Sequence, residues 1–208
     1  MTLFFAHQFK RVVILILSSL LLITPSMAQS TNEEKPVLNE QTAVKPQTRS
    51  EKLDALFADL KRERDPKEAT KISNRIWIAW ANWDDDAINL LMRRAQTSMQ
   101  SKNFSAALDI LDQVVVLAPD YSEAWNRRAT VYYMANDYGR SIADVEQTLA
   151  LEPRHYGAWM GLAQMMQALG EKKKAIFALQ QALNVYPAME RPQETLVKLL
   201  EEVEGESL

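Results

Sequence analysis

The chain has 208 residues, of which 47% are hydrophobic and 25% charged, with a formal net charge of −3 and no cysteine. That apolar content excludes a disordered chain. The missing cysteines exclude disulfides, zinc fingers, iron–sulfur clusters and thiol nucleophiles, and the mild acidity argues against nucleic acid as a partner. With 5 Gly and 8 Pro, breakers are sparse, which favours long helices over many short strands.

The first elements are read as a targeting segment and a tether. Lys10 and Arg11 end a short basic stretch, Val12 to Ile23 is apolar apart from Ser18 and Ser19, and Pro25 precedes Ser26-Met27-Ala28. This pattern predicts a secretory signal over 1–28 with cleavage after Ala28. The alternative is a retained anchor. The 12-residue apolar stretch falls short of the ~20 residues that span a bilayer, and counting back to Leu3 buries Lys10 and Arg11 in the membrane. The expectation is therefore a periplasmic or secreted chain without stable membrane insertion after cleavage. With 22 basic residues against 27 acidic ones, it has a net charge of −5. Residues 29–50 hold Pro36, Pro46 and mixed polar residues without an apolar period, and read as a disordered linker.

From Glu51 the pattern is helical, and it repeats. Pro119, Pro153 and Pro187 stand 34 residues apart. In the same register recur Ala95, Ala129 and Ala163, then Ala107, Ser141 and Ala175, then Leu111, Val145 and Leu179, and at the front Leu91, Trp125 and Trp159. Each unit carries two apolar stripes at helical spacing, separated by the turn pairs Lys102-Asn103, Asn136-Asp137 and Gly170-Glu171. The small residues mark where two antiparallel helices approach closely, and the proline closes the second helix. One such pair cannot bury its own apolar face, so pairs must stack.

These residues resemble the tetratricopeptide repeat family, whose signature is Trp-x2-Leu-Gly-x2-Tyr, then Ala-x3-Phe, then Pro. Trp125-x2-Arg128-Ala129-x2-Tyr132 with Ser141-x3-Val145 and Pro153 follows it, as does Trp159-x2-Leu162-Ala163-x2-Met166 with Ala175-x3-Leu179 and Pro187. Leu91 and Ser98 replace Trp and Tyr in the earlier unit, and Arg94 and Arg128 stand where the family has Leu. The resemblance implies an all-α, right-handed α-solenoid of nine helices in antiparallel pairs. Its parts are a degenerate pair at 51–87, three repeats at 88–121, 122–155 and 156–189, and a capping helix and tail at 190–208. Phe57 and Leu60 belong to the first helix of the degenerate pair and Trp77 and Trp80 to its second, opened by Pro66.

Candidate sites each have a plain structural reading. His155 sits in a turn between repeats, near solvent, where capping outweighs a catalytic role that lacks partners. Asp84-Asp85-Asp86 has neither the Gly nor the terminal Glu of a calcium loop and reads as a helix cap before Ile88. Trp77 and Trp80 read as core, and Trp83 is left between core and an aromatic platform. Lys172, Lys173 and Lys174 form a solvated basic run at a helix start. No metal or cofactor is implied.

The resemblance implies a non-catalytic scaffold that holds a protein or peptide on a concave face lined by the first helix of each repeat. By position that groove takes Met92, Gln96 and Met99, then Asn126, Thr130 and Tyr133, then Met160, Gln164 and Gln167. It is uncharged and rich in adaptable thioethers. One subclass of the family clamps the acidic tails of heat-shock chaperones with Lys, Asn and Arg; here Met92, Gly157 and Gln96 occupy clamp positions, so that site is absent. An exported scaffold in envelope assembly or maintenance is the primary reading. An envelope hydrolase or other enzyme on a repeat fold is the alternative, and it requires a convergent polar cluster. A self-associating subunit of an envelope complex is the third.

Overall fold

The computed structural model describes residues 48–205. The signal expected over 1–28, and the linker expected over 29–50 as far as residue 47, lie outside the described residues. Thr48 already caps a helix: its hydroxyl accepts from the Glu51 amide while the Glu51 carboxylate accepts from the Thr48 amide. This reciprocal pair satisfies two first-turn donors, and it starts the helix at Arg49, two residues before the expected helical start at Glu51.

Nine helices and no strand occur among the described residues. They are α1 (Arg49–Arg62), α2 (Pro66–Ala81), α3 (Asp86–Gln100), α4 (Phe104–Leu117), α5 (Ser122–Met134), α6 (Tyr138–Leu151), α7 (Tyr156–Ala168), α8 (Lys172–Val185) and α9 (Glu190–Gly205). Pro66 is the first residue of α2, where its missing N–H costs nothing. Asp85 accepts from the amides of Ala87 and Ile88, which fixes the start of α3.

The 34-residue register is visible in backbone, packing and hydrogen bonds. Lys102, Asn136 and Gly170, one per turn, are the described residues with left-handed backbone, at φ of 57°, 61° and 75°. The next residue caps the following helix through its side chain at Asn103 and Asp137, though not at Glu171. Ala95, Ala107, Ala163 and Ala175 are fully buried, and Ala129 and Ser141 nearly so. The Ser141 hydroxyl donates to the Ala129 carbonyl at 2.7 Å, so the two helices of that pair approach closely at these small residues. The indoles of Trp125 and Trp159 donate to the carbonyls of Pro119 and Pro153, each at 2.9 Å. Gln193, one period further on, makes the same bond to Pro187 through its amide. α9 therefore enters as the first helix of another unit and caps the stack.

α3 to α9 pack in series, each pair against the next. The pair α1–α2 departs from this. Its main contacts outside itself are with α8 and α5 rather than with α3. Ser73 hydrogen-bonds Tyr156 at 2.8 Å, and Arg154 pairs with Asp54 at 2.7 Å while its guanidinium lies over the Phe57 ring. The degenerate pair expected at 51–87 is present as α1–α2, but its packing is not mainly against the first repeat's α3. The hairpin instead lies along the edge formed by the connections between repeats. Its tryptophan-rich face finds Tyr156 and Tyr186 there, in one core with Leu53, Leu60, Ile76 and Trp80.

Candidate binding surface

α5 and α7 lie side by side as first helices of adjacent repeats, and their facing turns leave a hollow of about 320 Å³. Asn126, Thr130 and Tyr133 of α5 and Met160 and Gln164 of α7 form its walls, with Val145 and Met165 beneath. A side chain added at Gly161 would meet nothing within 4 Å, so that flank is open. No charged side chain lines the hollow. Tyr133 is half-buried and stacked on Tyr138 at 5.7 Å between centroids. Gln164 is exposed.

Five of the nine expected groove positions meet here; the other four do not. Met92 is 2% exposed and belongs to the core with Ile88, Ala95 and Leu111. This corrects its assignment to the groove: the unbranched side chain fills a gap between packed helices, as methionine does in irregular cores. Met99 packs partly buried against the same core, and Gln96 is half-buried outside the hollow. Gln167 donates to the Ala163 carbonyl and borders a separate cleft of about 210 Å³ against α9.

The edge beside the hollow carries buried charge. His155 caps α7, its Nδ1 accepting from the Ala158 amide at 3.0 Å. That bond leaves the proton on Nε2, which faces Glu123 at 3.3 Å. His155 is 0% exposed because the Trp80 indole lies flat on it, 4.1 Å away at 4°. The cap matches the sequence reading, but the solvent-near position does not, because the sequence does not reveal what covers this turn. Trp77 stands edge-on to the same ring, and Gly157 makes room for it: a Cβ there would lie 2.7 Å from the indole. Trp83 is half-buried on the neighbouring core, stacked on Tyr121 at 4.6 Å.

Glu123 is 3% exposed and is held by Arg127 Nε at 2.8 Å and the Asn126 amide at 3.0 Å. Burial pushes its carboxyl up, but the His155 hydrogen bond and the Arg127 guanidinium overcome this and hold it below the usual range. A depressed folded value stabilises the protein above the ordinary glutamate range, and that gain is lost as pH falls through the folded value. Glu123→Gln should therefore lower the urea midpoint at neutral pH, and the deficit should close as pH drops below about 4. A deficit independent of pH would show that Glu123 acts through packing rather than charge.

Arg128, which departs from the family pattern, spans three helices. Its Nε and Nη2 grip both Asp144 oxygens at 2.7 Å, and its Nη1 reaches Asp112 at 2.9 Å. These bonds raise the guanidinium pKa still further, and the side chain also lies 4.8 Å over the Trp125 ring. Sequence reasoning missed this site. The signal was available in the repeat register, where the position sixteen residues after Arg128 is Asp144, whereas the equivalents are Ile110 after Arg94 and Ala178 after Leu162. In the basic run, Lys172 pairs with Glu202 and Lys174 with Glu171. Among the described residues, no His/Cys/Asp/Glu group has metal-site geometry, and no helix is long and apolar enough to cross a membrane.

Models of the tetratricopeptide repeat family match residues 92–147 and 132–199. A TPR repeat-containing protein of Rhizobium etli is 38% identical over 184 residues, covering 88% of this chain and 90% of its own. Among solved structures, the first TPR domain of Spaghetti (RPAP3), bound to an HSP90 peptide, superposes with a TM-score of 0.54 at 16% identity over 58% of this chain and 95% of its own. The Sgt2 TPR domain of Aspergillus fumigatus gives 0.53 at 22% identity over 58% and 83%. The Yersinia enterocolitica type III secretion chaperone SycD, in complex with a peptide of the translocator YopD, gives 0.53 at 16% over 60% and 98%.

Proposed function

Since the chain belongs to the tetratricopeptide repeat family, we propose that it is a non-catalytic interaction scaffold that holds a peptide or partner helix in the hollow between α5 and α7. The observation that carries this reading is the hollow's lining: amide, hydroxyl, phenol and thioether groups with no charge, open at Gly161. Such a surface accepts an apolar anchor and leaves side-chain amides to bond a backbone. The peptides bound by the RPAP3 domain and by SycD support the same use of the fold. His155 is not free to serve an enzymatic role, because both its ring nitrogens are committed beneath Trp80. Export, with a role in envelope assembly or maintenance, is the further part of the proposal and rests on the signal-like residues 1–28.

Tyr133 is the central aromatic of the hollow, and it provides the test. Once a partner has been captured from the envelope fraction and its binding segment isolated, Tyr133→Ala should weaken binding by ~2 kcal/mol or more, as loss of a central anchor does. The melting temperature should fall far less than for a core aromatic, since Tyr133 is only partly buried at the wall of the hollow. Unchanged affinity would remove the hollow from the binding surface. A large loss of stability would make Tyr133 a core residue.

A further inference from the structure

The repeat register identifies two helix faces that a neighbouring helix covers elsewhere in the array. In the second repeat, Ala124 and Val131 of α5 are buried in one core with Leu111 and Val114 of α4. In the third, Ala158 and Met165 of α7 are buried in one core with Val145 of α6. On α3 the same two positions are Leu90, 42% exposed, and Thr97, also exposed. Among the described residues no helix packs on them as α4 packs on α5, since α1–α2 lies mainly on α8 and α5. α9 is bare on another side. Ala163 and Met166 of α7 are buried against Ala175 and Leu179 of α8, the second helix of their own unit. The equivalent positions on α9 are Val197, 55% exposed, and Leu200, 39% exposed. Among the described residues α9 packs mainly on α8, through Leu196, Leu199 and Val203 on its inner side.

The two faces carry opposite charge. Arg93 and Arg94 follow Leu90 by three and four residues and so flank it on the surface of α3. Both are exposed and without an ion-pair partner among the described residues, whereas their equivalents Arg127 and Arg128 are paired. Asp86, at the start of the helix, is the one acid on that face. On α9, Glu194 and Glu201 flank Val197 by three and four residues, and Glu204 follows Leu200 by four. These three are also exposed and unpaired among the described residues. The bases of α9, Arg191 and Lys198, project roughly 100° or more away from Val197, and Lys198 borders the cleft on that side. Neither face suits itself, since α9 on α9 opposes acid to acid and α3 on α3 opposes base to base. Each suits the other. They belong to the first and last units of the series α3 to α9, so one copy does not bring its own two together.

We infer that the chain associates with itself head to tail, the outer face of α9 in one copy packing on the outer face of α3 in the next. Leu90 then meets Val197 and Leu200, and the two arginines meet the glutamates. Each helix takes the place of the covering helix that the other lacks. The contact is heterologous, so every added copy presents a fresh face of each kind, and association continues into a ring or a filament. It uses no residue of the α5–α7 hollow and stands independently of the reading given for it.

The test is sedimentation velocity of the full-length chain across a wide range of concentration, at low and at high sodium chloride. The sedimentation coefficient should rise with concentration, and less steeply at high salt. A head variant, Arg93→Glu with Arg94→Glu, and a tail variant, Glu194→Arg with Glu201→Arg, should each associate about tenfold more weakly or worse. Their helical circular dichroism should match that of the parent chain. Mixed in equal amounts, the two variants should associate again, because the acidic head of one meets the basic tail of the other and the remaining faces keep their original signs. Should either variant misfold, Leu90→Gln and Val197→Gln must each weaken association. A parent chain that stays monomeric overturns the inference. So does association undiminished in the variants, which is how self-association through residues 1–47, common to all of them, would show itself. Loss in one variant alone marks a symmetric contact through that end and overturns it too, as does a mixture that stays dissociated.

Discussion

Trp80→Ala is expected to destabilise the folded chain by about 3–5 kcal/mol, the range for removing a buried aromatic from a packed core. Trp80 is 2% exposed and touches four other rings: Phe57 at 5.7 Å, Trp77 at 5.2 Å, Tyr156 at 5.4 Å and His155 at 4.1 Å. It is the main apolar link between the N-terminal hairpin and the repeat edge. Its loss leaves a cavity and also uncovers the His155–Glu123 pair to water. The measurement is an equilibrium urea titration followed by tryptophan fluorescence and, separately, by helical circular dichroism. Non-coincident transitions would mean that the hairpin leaves before the repeats unfold. A loss below about 1 kcal/mol would contradict the docking of α1–α2 along this edge.

Arg128→Ala should cost about 3 kcal/mol or more, since it strands Asp144 as a charge whose side chain is only 6% exposed. The companion experiment separates charge from packing. The equivalent pair in the next repeat, Leu162 and Ala178, is apolar. Arg128→Leu combined with Asp144→Ala should therefore recover most of the loss, because replacing a buried pair by apolar residues is often neutral or favourable. If the double variant is as unstable as Arg128→Ala, the guanidinium contributes through its stacking on Trp125 and its bond to Asp112 rather than through Asp144.

What the sequence disclosed was what repeats. The prolines, the small residues and the turn pairs recur every 34 residues, so each helix boundary and each close helix contact could be read three times over. The hairpin escaped because its contacts do not recur. Asp54 meets Arg154 across 100 residues and Ser73 meets Tyr156 across 83, and no local period encodes such pairs. One trace was present: Gly157 lies inside a helix with no turn to explain it, which signals close approach of another element. Here that element is the edge of Trp77. The candidate site divided along the same line. Positions in the last two repeats, such as Asn126, Thr130 and Gln164, line the hollow as the register places them, whereas Met92 in the first repeat is absorbed by the core.

The central claim is that a partner chain is held at the α5–α7 hollow. Its most direct test is site-specific photocrosslinking with a photoreactive amino acid at Gln164, on the wall of the hollow, and in a separate variant at Val116, which is 77% exposed on α4. The proposal predicts a covalent adduct with the captured partner from position 164 and none from position 116. It predicts too that adding the partner's isolated binding segment in excess abolishes the adduct. Adducts from position 116, or an adduct at 164 that the segment fails to displace, would contradict it.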